Sequence, residues 1–283
     1  MSTNKLLLID GSNLLFQMFF GMPARIVNKN GKAIHGTMGF VGALLKIIRM
    51  TVPTHIAVFF DGEHENNRTA LNKDYKANRM DYGALPDDQC PFTQLADIYT
   101  ALDYLQIKYA ETTVCETDDW IAGYALTCDK DIQTVISSFD SDYFQLISDK
   151  VSVLRYRGVK TSICTPDYIL KHFGITPTQY ADFKSLVGDV SDNIKGADKV
   201  GPKTAALLLK KFETLDNVIV NAEQIERQAI RESIIRNTER LRTNYKLIKL
   251  NAGEKLPFSI DELKCGDIQA TTTKVLNGIG LLP

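Results

Sequence analysis

The sequence predicts an α/β protein: a mostly parallel central sheet flanked by helices, followed by a helical C-terminal region. Short apolar runs recur with helix-compatible stretches between them. Three of these runs, Lys5–Asp10, His55–Asp61 and Thr134–Asp140, end in an acid followed by turn chemistry. Past Val151 the alternation fades into charged helical segments.

Taken in order, Lys5–Asp10 reads as a buried strand, Gly11-Ser12-Asn13 as a turn and Leu14–Phe20 as the start of a helix. A helix near 36–50 precedes the second strand, and helices near 92–105 and 118–128 precede the third. Segments 165–173 and 176–187 read as helical. Pro177 would stand at a first helical position, where its missing N–H is no loss. Gly201-Pro202 opens a further helix for the same reason, and 224–250 is a charged helical region. The expected division is an α/β domain over 1–163 and a helical domain over 164–283, packed as one body.

Composition narrows the function classes. A chain of 283 residues can bury a sizeable core, and 44% hydrophobic with 24% charged residues is ordinary for a globular protein. No apolar run approaches the roughly 20 residues that span a bilayer, so no membrane association is expected. The N-terminus lacks a secretory pattern, and a cytoplasmic location is expected. Five widely spaced cysteines without a Cys-x-x-Cys fit reduced thiols, not a disulfide framework or zinc site. The four histidines make no metal-ligand pattern. A net charge of −1 argues against a simple nucleic-acid binder unless the charge is segregated.

The acids suggest segregation. In an open parallel sheet, ligands bind beyond the carboxyl ends of the strands. Asp10, Asp61 and Asp140 stand at three such ends. Glu116-Thr117-Asp118-Asp119 adds three acids within four residues at a helix start. One acid there is favoured by the helix dipole, but three repel each other and call for a cation. Alone, that stretch reads as a solvated acidic helix start. Beside three strand-end acids it becomes a wall of a shared crevice.

Two further segments carry charge. Between Asp61 and the helix near Phe92, a long polar stretch over 63–90 interleaves Arg68, Lys73, Tyr75, Lys76 and Arg79. Basic and aromatic residues alternate in this way in phosphate clamps and stacking platforms, and polar connections this long are usually functional. Downstream, Asp189 and Asp192 form a second acidic pair. Lys195, Lys199 and Lys203 surround the Gly201-Pro202 turn, whose outward N–H groups suit a phosphate.

These residues together resemble the flap endonuclease (5′-nuclease) family, most like the 5′→3′ exonuclease domain of bacterial DNA polymerase I and its stand-alone relatives. The motifs are Leu8-Ile9-Asp10-Gly11-Ser12-Asn13, Phe60-Asp61-Gly62, Tyr75-Lys76-Ala77-Asn78-Arg79, Glu116-Thr117-Asp118-Asp119, Asp140-Ser141-Asp142, Gly188-Asp189 to Asp192-Asn193, and Gly201-Pro202-Lys203-Thr204-Ala205. The ordered set covers nearly the whole chain.

The resemblance implies a PIN-like 5′-nuclease fold with a C-terminal helix-three-turn-helix. It implies a metal-dependent nuclease that cuts DNA 5′ flaps and works as a 5′→3′ exonuclease by a two-metal mechanism in primer removal or repair. Its metal acids fall on Asp10, Asp61, Glu116, Asp118, Asp119, Asp140, Asp142, Asp189 and Asp192. Its basic arch residues fall on Lys76 and Arg79, with Arg68 and Tyr75 in the same DNA-facing stretch. Lys195, Lys199, Gly201, Lys203 and Thr204 fall in the duplex-gripping turn. The implied cofactors are two Mg²⁺, with Mn²⁺ as a substitute, and K⁺ at the helix-three-turn-helix. The implied partners are 5′ flaps, nicked or branched duplex and RNA primer ends, met by a monomer of bacterial or phage type near the nucleoid.

Setting these nine acids aside from the 34 leaves 25 acidic residues against 33 basic, a formal +8 around an anionic pocket. The chain also departs from the pattern. Gln17 stands where the family often has Arg, Phe139 and Ser141 stand where a small residue and usually Lys occur, and Lys199 replaces a turn Gly. A positive φ is strained for Lys. These departures sustain one rival reading, a DNA junction-binding protein with weakened catalysis. A ribonuclease of the PIN-like class is a more distant one.

Overall fold

The computed structural model describes residues 4–62, 67–80, 82–129 and 131–282. The first half runs β1 (Lys5–Asp10), α1 (Gly11–Gly21), α2 (His35–Thr51), β2 (His55–Phe60), α3 (Asn67–Leu71), α4 (Leu95–Tyr104), β3 (Lys108–Glu111), α5 (Thr117–Thr127), β4 (Gln133–Ser137), β5 (Val151–Arg155) and β6 (Ser162–Cys164). The strands form one sheet in the order β3-β2-β1-β4-β5-β6. The first five are parallel, and β6 runs antiparallel to β5.

β1 is central because its residues are apolar on both faces. Leu6 and Leu8 enter the core under α5, while Leu7 and Ile9 enter the core under α1, α2 and α4. Leu8 pairs with Ala57 on one side and Ile136 on the other. This register brings the carboxyl ends of β1, β2 and β4 level. Asp10 ends β1, Asp61 follows β2, and Asp140 follows β4 by three residues.

The sheet is wider than the apolar runs indicated. β3 reads Lys-Tyr-Ala-Glu and is half-exposed at one edge; β6 has three residues at the other. Short, partly polar strands are usual at sheet edges and carry no apolar signal. The expected fading past Val151 is therefore corrected: β5 and β6 lie there.

The second half holds α6 (Pro166–Phe173), α7 (Tyr180–Val187), a small hairpin of β7 (Gly188–Asp189) and β8 (Ile194–Lys195), then α8 (Pro202–Phe212), α9 (Leu215–Val220), α10 (Gln228–Arg236), α11 (Thr238–Ile248) and α12 (Thr272–Gly278). The expected helix over 176–187 begins as a 3-10 turn closed by a Thr176–Gln179 capping box. The charged region over 224–250 is two helices that meet at Asn237. The chain then returns to the sheet: Cys265 N–H donates to Thr54 O, and α12 packs on α2 and α4. Among the described residues, no helix is long and apolar enough to cross a membrane. All five cysteines are free thiols.

Candidate metal centre and nucleic-acid face

The strand-end acids meet in a crevice lined by α1, α5 and the turn after β4. Asp10 caps α1, its Oδ1 accepting from Asn13 N–H at 2.9 Å, while its Oδ2 accepts from Ser138 Oγ at 2.9 Å. Asp61 Oδ1 accepts from Thr117 N–H at 3.0 Å and so caps α5 from a neighbouring strand. Asp140 Oδ1 accepts from Asp142 N–H at 2.8 Å, which shapes the turn linking the two acids. Asp118 Oδ1 accepts from the buried Tyr143 hydroxyl at 2.8 Å, and the same hydroxyl lies 3.4 Å from Asp10 Oδ2.

Burial and shared charge make this group cation-hungry. Burial, then Asp61 and Asp140, push the Asp10 carboxyl up to about 7. Asp118 is raised well above its ordinary value by burial and by Asp140. A carboxyl so raised costs energy to ionise unless a cation enters.

A second acidic group lies next to the first. Asp142, Asp189 and Asp192 offer carboxylate oxygens all within 4.8 Å of one another, a donor set suited to a hard divalent ion. The β7–β8 hairpin that presents Asp189 needs two glycines. A Cβ on Gly188 (φ +89°) would lie 2.5 Å from Gly196 N, and one on Gly196 would lie 2.3 Å from Val187 C.

Protein cations neutralise this second group. Lys184 Nζ, buried in α7, bonds both Asp142 and Asp189. Arg79 Nη2 reaches Asp192 Oδ1 at 2.8 Å. Burial pushes Asp142 up to about 7 against the pull of Lys184. Burial also opposes ionisation of Asp189, but Lys184 more than offsets it and holds Asp189 low.

The basic stretch over 63–90 folds back on these acids. Its residues 63–66 and 81 lie outside the described residues. Lys76 Nζ meets Glu116 Oε1 at 2.8 Å. Lys76 itself has φ +57°, and its N–H donates to Asp192 O. Arg68 and Tyr75, expected to face DNA, are turned inward instead, 7% and 5% exposed. Arg68 forks between Glu116 Oε2 and Asp119 Oδ1, both at 2.7 Å, and the Tyr75 hydroxyl donates to Glu116 Oε2 at 3.2 Å. Clustered carboxylates under a short helical turn attract the nearest guanidinium more strongly than solvent does.

Asp119 also departs from the expected metal set. Its Oδ1 takes Arg68 Nη2 and, at 2.8 Å, Asn251 N–H, which ties α5 to the returning C-terminal segment. Burial opposes the charge on Glu116, yet Lys76 and Arg68 hold it below the usual carboxylate range.

The expected duplex-gripping residues lie on a solvent face. Lys195, Lys199, Gly201 and Lys203 are exposed and Thr204 is half-buried, around the entry to α8. Lys199 does adopt a positive φ, +64°. The turn is hooked down by Ala197 N–H to Leu186 O and by Arg240 Nη2 to Gly196 O at 2.7 Å. Phe139 accepts a cation: the Arg155 guanidinium lies 5.0 Å from its ring, and Arg155 Nη2 donates to Phe139 O at 3.0 Å. Gln17 Nε2 donates to Tyr156 O.

Three participants escaped the sequence reading: Lys184, Tyr143 and Ser138. Only Lys184 left a usable trace. It falls four residues after Tyr180 and three after Ala181, on the buried face of α7, where a lysine needs a partner.

The model of the 5′-3′ exonuclease N-terminal resolvase-like domain matches residues 5–174, and that of the 5′-3′ exonuclease C-terminal SAM fold matches residues 175–271. This chain belongs to the 5′-3′ exonuclease family. It is 33% identical over 258 residues to the thermostable DNA polymerase I of Thermus thermophilus, covering 91% of this chain and 30% of that one. It is 34% identical over 233 residues to DNA polymerase I of Bacillus subtilis, covering 81% and 26%. The chain thus spans under a third of these relatives' length.

Among solved structures, the fold matches T5 5′-exonuclease with bound zinc at TM-score 0.71, 20% identical over 87% of this chain and 89% of that one. It also matches the catalytic core of Rad2 in complex with DNA substrate at TM-score 0.59, 13% identical over 98% and 93%. The 5′-nuclease fold, a mostly parallel sheet with a helical SAM-like C-terminal part, is shared with both.

The raised acids of this family member set a pH dependence. Asp10 and Asp142 ionise near 7 when folded and near 3.8 when unfolded, so the folded chain holds extra protons in between. Stability is therefore present at low pH and lost as pH rises through about 7. Glu116 and Asp189, shifted down, are ionised in both states above pH 5.5 and do not oppose this, whereas His35 and His55, held neutral in the fold by burial, offset part of it. Raising the pH from about 5.5 to 7.5 in EDTA should cost about 1–3 kcal/mol net and lower Tm by roughly 3–10 °C. A divalent cation held by these acids would favour their ionised form, so saturating Mg²⁺ is expected to flatten the slope. A melting curve flat with pH in EDTA would refute the shifts.

Proposed function

We propose that this chain is a metal-dependent, structure-specific 5′-nuclease that hydrolyses DNA phosphodiesters, removing 5′ flaps and acting as a 5′→3′ exonuclease in primer removal or repair. The single observation carrying this reading is the pair of adjoining acidic groups, joined through the Asp140–Asp142 turn at the mouth of a parallel sheet. Asp10, Asp118 and Asp140 would hold one divalent ion, with Asp61 and Glu116 at its rim. Asp142, Asp189 and Asp192 would hold the other. All-oxygen donors favour Mg²⁺, with Mn²⁺ as a substitute. Bound there, the two ions would activate the attacking water and take up charge on the leaving 3′ oxygen.

The chain's own residues supply orientation. Lys76 and Arg79 pair with Glu116 and Asp192, and each would swing to a phosphate oxygen as the acids take up cations. Tyr143 fixes the Asp118 carboxylate. Every expected acid is retained despite the departures at Gln17, Phe139, Ser141 and Lys199, which favours turnover over a binding-only role. The turn before α8 would grip the duplex backbone. A K⁺ ion there would neighbour Lys199, which brings its own charge to the same phosphates. Nicked or branched duplex and RNA primer ends are further substrates in this reading, met by a cytoplasmic, nucleoid-associated monomer.

The decisive experiment is cleavage of a labelled 5′-flap duplex with Mg²⁺ and then Mn²⁺. Product of flap length is expected, and its absence in both metals would overturn the reading. Cleavage of single-stranded RNA in preference to the flap would point instead to a ribonuclease. Lys203→Ala should weaken duplex binding uniformly across sequences and reduce the log–log salt slope by about 1. An unchanged slope would remove Lys203 from the duplex contact.

A further inference from the structure

A separate concavity lies at the far end of α1 from the acids. Its volume is about 390 Å³, within the ~300–1,000 Å³ range of small-ligand pockets. Phe19, Phe20, Met22, His35, Met80 and Tyr82 line it, with Arg25 at its mouth. Phe20 and Met80 are 56% and 62% exposed, unusual for side chains of this kind on the same rim. Phe20 lies 5.8 Å from the Tyr82 ring, which in turn packs edge-on against Phe16 at 4.9 Å.

The floor is polar and unsatisfied. His35 is 2% exposed and tilted against Phe19 at 4.5 Å, and its Nδ1 has no hydrogen-bond partner among the described residues. Burial and then Arg25 favour the neutral imidazole, so Nδ1 can serve as donor or acceptor. Among the described residues, Arg25 pairs with Asp88, in a solvent-exposed pair that a phosphate could replace at little cost.

We propose that this pocket takes one nucleobase of the single-stranded 5′ arm, stacked on Phe20 and Tyr82, its edge on His35 Nδ1 and its phosphate on Arg25. The inference rests on the nuclease reading and adds a binding site to it. Aromatic faces accept any base, and a single polar atom at the floor meets a base edge without dictating sequence. Position supports the same occupant. At 1.5 Å per residue, Phe20 stands about 15 Å along α1 from Asp10, a few nucleotides from the scissile phosphate. A hydrophobic peptide side chain, the competing occupant, would leave His35 Nδ1 and Arg25 without a role.

The test places 2-aminopurine at successive positions along the arm of a 5′-flap duplex and follows its emission on binding in Ca²⁺. One position should be quenched by stacking. Phe20→Ala and Tyr82→Ala, which remove the two stacking rings, should each abolish that quench. Each should also reduce the affinity gained from the arm by about tenfold, measured against the same duplex without an arm. Thermal melts of both variants verify that they fold. No responding position, or a response and arm-dependent affinity that survive both substitutions, overturns the pocket. Cleavage by the wild-type chain in Mg²⁺ and Mn²⁺ judges the nuclease reading separately. Active cleavage beside a silent scan sinks the base pocket alone.

Discussion

Asp118→Asn is expected to slow single-turnover flap cleavage by at least about 10²-fold while flap binding persists or tightens. Burial, then Asp140, Glu116 and Asp10, raise the cost of the Asp118 negative charge, which Lys76 offsets in part and a bound cation would offset further. Asparagine keeps the oxygen that accepts from Tyr143, so the local fold is preserved. It removes one charge from a group that, in the proposed reading, holds a divalent ion and tolerates an incoming phosphate. Cation holding therefore weakens, and phosphate repulsion falls. The Mg²⁺ dependence should move to higher concentration. Asp140→Asn should behave alike, because Asp140 faces both Asp10 and Asp118. Anisotropy of a labelled flap beside quenched-flow cleavage separates the two effects. A rate left intact would take that residue off the catalytic list.

Arg68→Ala should have the largest effect on stability, about 3–5 kcal/mol and roughly 10 °C in Tm. Its guanidinium is buried and forks between Glu116 and Asp119 at 2.7 Å each. Among the described residues, its removal leaves Asp119 with the Asn251 N–H, while Glu116 keeps Lys76 and Tyr75 among its partners. A buried carboxylate stripped of its partner costs far more than the intact pair contributes. Arg68→Lys keeps the charge but offers no planar fork, so an intermediate loss is expected. Calorimetric melts of both variants check the order. If alanine melts like wild type, Arg68 is a surface group and the inward-facing arrangement of 67–80 is wrong.

Legibility followed burial. β1, β2 and β4 were readable because central parallel strands are covered on both faces and become continuous apolar runs. β3 and β6 were not, since edge strands need only a half-buried face. The acids at strand ends were readable because Asp10 ends such a run, Asp61 follows one directly and Asp140 follows one by three residues. Arg68 and Tyr75 were misdirected for a related reason. A basic-aromatic stretch looks the same in sequence whether it faces DNA or a buried carboxylate.

The sequence by itself determined the parallel α/β core, the acids that converge at its mouth and the lysine-bearing turn before α8. These follow from local pattern, since strand burial and turn chemistry are written in neighbouring residues. Only the tertiary structure decided how the acids divide. Asp10, Asp118 and Asp140 form one group, Asp142, Asp189 and Asp192 a second, and Asp119 joins the scaffold through Arg68. It also decided the roles of Lys184, Tyr143 and Ser138. The physical reason is that a carboxylate's state depends on the charges and donors touching it. Here those partners arrive from far along the chain: Arg68 lies 48 residues from Glu116, and Ser138 lies 128 from Asp10.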